Sequence, residues 1–213
     1  MLKFTDEKLV LSRRDLVIGT VIALIMGSVF IKTGGLPLMV TFVPGLFVSV
    51  GAISYMFIKK VEFPKASVFV PLFFATLAWQ FIHFNEEFIT GFYMKFPALY
   101  GTMPYSLEKF VTVNMISYFV FSLSCILIYT KGLRFLVLPM MFFIIYGAIG
   151  NAITHAWWVI WLKGYFPGFF TSLVYWVLGP LMLGTLVGSK KIAWLIVAIT
   201  SVILIPLVTI TMV

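Results

Sequence analysis

Charged residues are scarce in this chain. They make up 10% of its 213 residues, against roughly 25% in an ordinary soluble domain. Hydrophobic residues make up 62%, and the mean hydropathy is +1.11. One soluble domain of this length cannot bury so much apolar surface, so the composition excludes a water-soluble fold and predicts an integral membrane protein.

Cysteine is almost absent. The single cysteine, Cys125, lies inside an apolar run, which excludes an intrachain disulfide and a metal site built from several thiolates. The net charge is +8, but the basic residues lie between the apolar runs and form no basic polar segment, so we expect no nucleic-acid partner. No motif for an organic cofactor is evident.

Seven apolar stretches are each about long enough to cross a bilayer, which takes roughly 20 helical residues. They are continuous and do not alternate with polar residues, a pattern that predicts helices and excludes barrel strands. The sequence therefore predicts an all-α transmembrane bundle of about seven helices, in a single integral membrane domain over residues 1–213. The predicted spans are 16–33, 36–58, 66–93, 110–130, 135–162, 168–188 and 192–213.

Basic residues are distributed unevenly between the two sets of connectors. A cytoplasmic amino terminus places eleven basic residues inside and four outside, as the positive-inside rule favours. We therefore expect a multi-pass protein, in the cell membrane, with its amino terminus in the cytoplasm. The inner set is Lys3, Lys8, Arg13, Arg14, Lys59, Lys60, Lys65, Lys131, Arg134, Lys190 and Lys191, and the outer set is Lys32, Lys95, Lys109 and Lys163.

Glu86 and Glu87 differ from the other five acidic residues because they lie inside a predicted span. Two ionised carboxylates without partners in lipid would each cost a few kcal/mol, so we expect compensating groups nearby. At about 100° per residue, His83 shares their helix face. Gln80 and Trp79 lie on that face one turn earlier.

A second polar pair lies in the fifth predicted span, where Asn151 and His155 are four residues apart and share one face. Trp158 follows on the same stripe. The third and fifth spans both run outward, so both polar groups should lie near the outer ends. Tyr165 opens a connector whose Pro and Gly allow a tight turn at that surface. We therefore predict one polar pocket between these helices, capped by the turn and facing the non-cytoplasmic side.

Three short motifs occur in this region: His-Phe-Asn-Glu-Glu at 83–87, Asn-Ala-Ile-Thr-His at 151–155 and Tyr-Phe-Pro-Gly at 165–168. In this order they resemble the HXXEE domain proteins, a family of integral membrane proteins that also carries NXXXH and YXPG motifs. The resemblance implies a motif-bearing core within about 66–188. An enzymatic role has been suspected for the family, so the resemblance sharpens the site and leaves the substrate open.

The leading hypothesis is a metal-dependent, hydrolase-like membrane enzyme. His83, His155 and Glu87 offer the nitrogen and oxygen ligands that zinc or another divalent transition metal favours. Glu86 would then act as general base and Asn151 would orient the substrate or stabilise an oxyanion, which makes all five residues catalytic candidates. The substrate would be lipidic or otherwise apolar.

Two other functions remain open. The same carboxylates and imidazoles could transfer protons without a metal, as an isomerase or cyclase requires, or could couple protons or cations to transport. We predict that Trp79, Gln80, Trp158 and Tyr165 contact the substrate, although each tryptophan and the tyrosine would also suit a membrane interface. A purely structural reading treats the polar cluster as a network that fixes helix packing. That reading is preferred for Asn114, Tyr118 and Ser122 on the fourth span.

Overall fold

The computed structural model describes Phe4 and residues 8–213. Lys3, one of the inner basic residues, lies outside the described residues. Helices account for 82% of the structure, and the described residues form no strand, which confirms the predicted all-α bundle. The helices are α1 (Arg13–Ile58), α2 (Ala66–Ile89), α3 (Phe92–Ala98), α4 (Leu107–Lys131), α5 (Val137–Phe142), α6 (Asn151–Leu162), α7 (Phe169–Ser172), α8 (Tyr175–Val187) and α9 (Lys190–Thr211). A short 3₁₀ turn, Arg134–Leu136, precedes α5, and a π-helix, Phe143–Gly150, joins α5 to α6.

Helix α1 is a hairpin of two membrane crossings. Its backbone leaves the helical conformation at Gly35, where φ is 62° and ψ is −148°. The two arms pack against each other, since the rings of Phe30 and Phe42 lie 5.0 Å apart. A methyl group placed on Gly27 would lie 3.5 Å from the side chain of Leu46. The chain therefore reverses direction at Gly35.

Six apolar helical stretches are long enough to cross a membrane, and the first of them, at 46 residues, is the α1 hairpin. The other five are α2, α4, α9 and two composite stretches. These run over Arg134–Leu162 and over Phe169–Val187. Counting the hairpin twice gives seven crossings, in agreement with the sequence prediction.

Local sequence signals set the helix boundaries. Ser12, Ser106 and Ser189 each cap a helix by accepting a hydrogen bond from a backbone N–H in its first turn. Gly132 and Gly188 end α4 and α8 in the left-handed conformation, which glycine adopts without steric cost.

Contacts between connectors define two ends of the bundle. At what we call the basic end, the Phe63 amide donates to the Leu9 carbonyl at 2.9 Å, and the residues of the inner basic set that the structure describes lie in the flanking segments. At the opposite end, called the site end, the Val213 amide donates to the Leu99 carbonyl at 3.0 Å. The first arm of α1 thus starts at one end, and α9 finishes at the other.

The fifth crossing lies at the centre of the bundle. In the most apolar 18 residues of this crossing, 83% of the residues are buried. In the other stretches the buried fraction is 22–50%. Those crossings expose large apolar side chains, among them Leu24 at 65%, Phe47 at 72% and Val202 at 72%. Such a surface suits lipid. The central crossing also contains the π-helix, a rare geometry that is frequent at functional sites.

Candidate functional site

Three side chains predicted as metal ligands converge at the site end. His83 and Glu87 lie one turn apart on α2, and His155 projects from α6. Nε2 of His83 lies 3.4 Å from Oε1 of Glu87, and Nε2 of His155 lies 3.3 Å from the same oxygen. Both imidazoles are fully buried and Glu87 is 5% exposed. The sequence-predicted pocket therefore contains a compact His/Glu/His cluster.

The distances in this cluster are longer than hydrogen bonds. A charge-assisted N–H···O bond is typically about 2.7–2.9 Å long, and neither Nε2 atom has a hydrogen-bond partner. Zinc bonds of about 2.0–2.2 Å at tetrahedral angles place neighbouring ligand atoms about 3.3–3.5 Å apart. The two histidine–glutamate separations fall in that range. The ligand atoms of His83, Glu87 and His155 all lie within 4.8 Å of one another, so the three residues could hold a metal ion.

A second set of contacts fixes the orientation of His83. Its Nδ1 atom lies 2.9 Å from the hydroxyl of Thr171, and that hydroxyl donates to the carboxylate of Glu86. A carboxylate only accepts, so the Thr171 oxygen must accept from Nδ1–H of His83. A ring protonated only at Nδ1 would direct the lone pair of Nε2 into the cluster, as a metal ligand requires.

Glu86 faces away from the cluster and holds the loop that covers it. One carboxylate oxygen accepts from the Tyr165 hydroxyl at 2.8 Å and from the Phe170 amide at 3.2 Å. The other accepts from the amide of Thr171 at 2.8 Å and from its hydroxyl. Both oxygens are thus engaged. The general-base role predicted for Glu86 stays a prediction, and its contacts are those of a residue that positions the loop.

Tyr165 belongs to this covering loop and lies outside the membrane crossings. Its side chain is 45% exposed. Partial burial, and then the neighbouring Glu86 carboxylate, raise the pKa of the Tyr165 phenol above its ordinary value. The hydroxyl therefore keeps its proton at neutral pH and donates to Glu86.

Gly168 brings the loop backbone against the cluster. A methyl group at this position would lie 2.6 Å from Cε1 of His155, 2.9 Å from Cε1 of His83 and 3.0 Å from Cγ of Glu87. Gly168 also has a φ of +85°, where side chains other than glycine are strained. Only glycine meets both requirements, which explains the Gly in the Tyr-Phe-Pro-Gly motif.

A cavity of about 90 Å³ reaches the cluster at Glu87. Its lining is mostly aromatic, and two residues predicted as part of the site, Gln80 and Asn151, also line it. The Asn151 amide donates to the Gly147 carbonyl at 3.0 Å, which leaves its oxygen and one N–H available. The structure thus brings Gln80, Glu87 and Asn151 to one space.

A buried hydrogen-bond chain borders the same cavity. The Tyr175 hydroxyl donates to Oε1 of Gln80 at 2.6 Å, and Nε2 of Gln80 donates to the Tyr118 hydroxyl at 3.2 Å. Tyr118 in turn donates to Asn114 at 3.0 Å. Asn114 and Tyr118 therefore link neighbouring helices, as the packing role predicts, and they also line the cavity.

The remaining residues predicted to bind substrate lie elsewhere around the site. Trp79 donates to the Thr171 carbonyl at 2.9 Å and so holds the covering loop. Trp158 is 1% exposed and packs on His155, with ring centroids 5.0 Å apart. Neither these tryptophans nor Tyr165 lines the cavity. Their contact with a substrate stays a prediction.

Thr171 is a residue of the site that sequence reasoning missed. It lies in the predicted span 168–188, yet its hydroxyl joins Glu86 to His83. The available signal was its position three residues after Gly168, at the start of an otherwise apolar helix.

Comparison with protein-family models, with curated proteins and with solved structures found no match. The function is therefore argued from the geometry of the site.

Proposed function

We propose that this chain is a membrane-embedded, metal-dependent enzyme that acts on a lipidic substrate by hydrolase-like chemistry. One observation carries the proposal. The Nε2 atoms of His155 and His83 lie 3.3 and 3.4 Å from the same carboxylate oxygen of Glu87, and neither nitrogen has a hydrogen-bond partner. Buried polar atoms are rarely left without a partner. A divalent cation would satisfy both nitrogens and compensate the buried carboxylate.

Each residue of the cluster has a distinct role in this proposal. His83, Glu87 and His155 would bind the metal, zinc or another divalent transition metal, and leave one tetrahedral position open. A metal held in this way lowers the pKa of a bound water and polarises a carbonyl group. Because Glu87 borders the cavity, a substrate lying there would approach the cluster from the Glu87 side.

Asn151 and Glu86 support the chemistry in different ways. Asn151 lines the cavity beside Glu87 and retains a free N–H, so it suits the stabilisation of a developing oxyanion. Glu86 acts through Thr171 on His83 and is a positioning residue. Such outer partners typically set ring orientation and ligand basicity.

Proton-transfer catalysis without a metal is the second candidate. It is favoured by the proximity of Glu87 to both imidazoles, which would let one proton move among them. The separations of 3.3 and 3.4 Å are longer than a shared-proton hydrogen bond, which ranks this candidate below the metal enzyme.

Transport receives less support from the cavity. It runs from the site end to Phe142 and Phe143, where aromatic rings line its deep end, and it is not lined by any of the basic residues that the structure describes at the opposite end. A transport pathway would need access from the basic end as well. We further propose that the chain is related to the HXXEE domain proteins and that its site end lies on the outer side of a cell membrane.

Metal content tests the proposal directly. We would measure it by elemental mass spectrometry on protein purified without a histidine tag and without chelator, beside His83→Ala, Glu87→Gln and the exposed control Glu108→Gln. We expect near-stoichiometric metal in the wild type and the control, and none in the two cluster variants. Folded wild-type protein that never holds metal would refute the metal enzyme and leave proton transfer as the working mechanism.

A further inference from the structure

The cavity extends along α4 from the site end to a group of aromatic rings. Along α4 it follows a stripe of residues spaced four apart, Lys109, Val113, Ser117 and Phe121. Twelve helical residues correspond to about 18 Å, more than half of a hydrocarbon core of about 30 Å. A volume of about 90 Å³ over such a length leaves room for one slender chain and excludes a two-chain lipid or a sterol.

The deep half of the cavity ends in a floor of aromatic rings. Phe121 of α4 lies 5.3 Å from Phe143 and 6.2 Å from Phe142, between ring centroids. Phe42 of α1 closes the other side at 6.0 Å from Phe142. These rings present only apolar surface to the cavity, which suits the terminal part of a hydrocarbon chain.

The opposite end of the cavity carries one cation. Lys109 lies in the first turn of α4, with Nζ 4.1 Å from the ring centroid of Tyr105. Tyr105 is anchored because its hydroxyl donates to the Gly34 carbonyl at 2.6 Å. In the part of the chain that the structure describes, Lys109 has no carboxylate within salt-bridge distance, unlike Lys8, which pairs with Glu62. The ammonium group is therefore available to an anion from outside the chain.

Glu87 lies in the last turn of α2 and Lys109 in the first turn of α4, so both occupy the site end of the cavity. A ligand with its anionic group at Lys109 would place the neighbouring bonds beside Glu87 and its chain toward Phe121. We propose that the cavity binds a single-chain anionic lipid, with a carboxylate or phosphate at Lys109. This inference names the substrate class of the proposed enzyme and rests on that function.

Photolabelling tests this inference. The protein would be placed in nanodiscs of neutral phosphatidylcholine and exposed to a fatty acid that carries a diazirine near its methyl end. We expect adducts on the peptides that contain Phe121 and Phe142, mapped by mass spectrometry. An unlabelled fatty acid should compete, whereas a monoacylglycerol or phosphatidylglycerol should not. A lysophosphatidate competitor separates the two head groups, because the stronger competitor identifies carboxylate or phosphate as the preferred anion.

Two pairs of variants localise the binding. Val113→Trp fills the cavity and should abolish the specific adducts, whereas Ile116→Trp, at a position that is 58% exposed on the same helix, should preserve them. Lys109→Gln should weaken competition by the fatty acid by about fivefold, as for one partly exposed charge contact. Lys95→Gln, which removes a lysine outside the cavity, should leave competition unchanged.

Adducts confined to lipid-facing positions, or equal competition by the monoacylglycerol, would overturn this inference. Metal-loaded wild-type protein that lacks specific adducts would overturn it while leaving the metal enzyme standing. Specific adducts on wild-type protein that holds no metal would support the binding site and refute the metal enzyme. The two ideas therefore fail separately.

Discussion

The two ends of the bundle surround a buried carboxylate in different ways. At the basic end, Asp15 accepts from the Ser12 amide at 2.9 Å and lies 3.2 Å from Nε of Arg134. At the site end, His83 and His155 direct nitrogens without hydrogen-bond partners at one oxygen of Glu87. The Asp15 carboxylate is held by hydrogen bonds from its own helix end, whereas Glu87 faces two imidazole nitrogens that lack a partner. Buried polar atoms are rarely left without a partner, and the proposed metal would supply one at the site end.

The largest expected effect comes from Gly168→Ala. Its methyl group would collide with both histidines and Glu87, and the residue would be strained at its φ of +85°. We expect complete loss of bound metal, measured by elemental mass spectrometry on folded protein. Gly164→Ala is the matched control, because its methyl group would have only an ordinary contact at 3.8 Å. Full metal content in Gly168→Ala would mean that the loop does not rest on the cluster as described.

A smaller effect is expected from Glu86→Gln. The amide would lose two acceptor contacts with the loop and weaken the orientation of His83, so metal affinity should fall by about 10- to 100-fold. Competition with a chelator of known affinity measures this change. Thr171→Val removes only the hydroxyl between Glu86 and His83. In this variant the metal affinity should fall by about tenfold, the lower limit of that range. Unchanged affinity in both variants would remove Glu86 from the site.

The smallest effect on the site is expected from Asp15→Asn at the basic end. This change weakens the contacts with Ser12 and Arg134 and should lower the free energy of unfolding by about 1–2 kcal/mol. The midpoint of thermal unfolding in detergent should therefore fall, while metal affinity stays at the wild-type value. A loss of metal binding in this variant would show that the two ends are coupled and would break the comparison.

The crossings could be predicted from the sequence because each is a continuous apolar run with charged or helix-breaking residues near its ends. It also brought His83, Glu87 and His155 together, since their helix faces and depths follow from spacing and chain direction. The predicted third span, 66–93, was too long at its end, because Gly91 adopts a φ of +80° and starts a separate helix, α3.

The separate roles of Glu86 and Glu87 could not be predicted. Adjacent residues project about 100° apart on a helix, and only the packing of α2 against its neighbours decides which side chain faces the cluster. The position of Thr171 after Gly168 marks it as a candidate, but its contacts with Glu86 and His83 depend on long-range packing and could not be predicted. The π-helix, Phe143–Gly150, has no comparable signal in a uniformly apolar stretch.

The unequal apolarity of the crossings has a consequence for membrane insertion. Helix α2, which carries His83 and Glu87, is the least apolar of the six stretches, and the next crossing along the chain, α4, is more apolar. The two can enter the bilayer together as a helical hairpin, in which α4 compensates the cost of inserting the polar residues of α2.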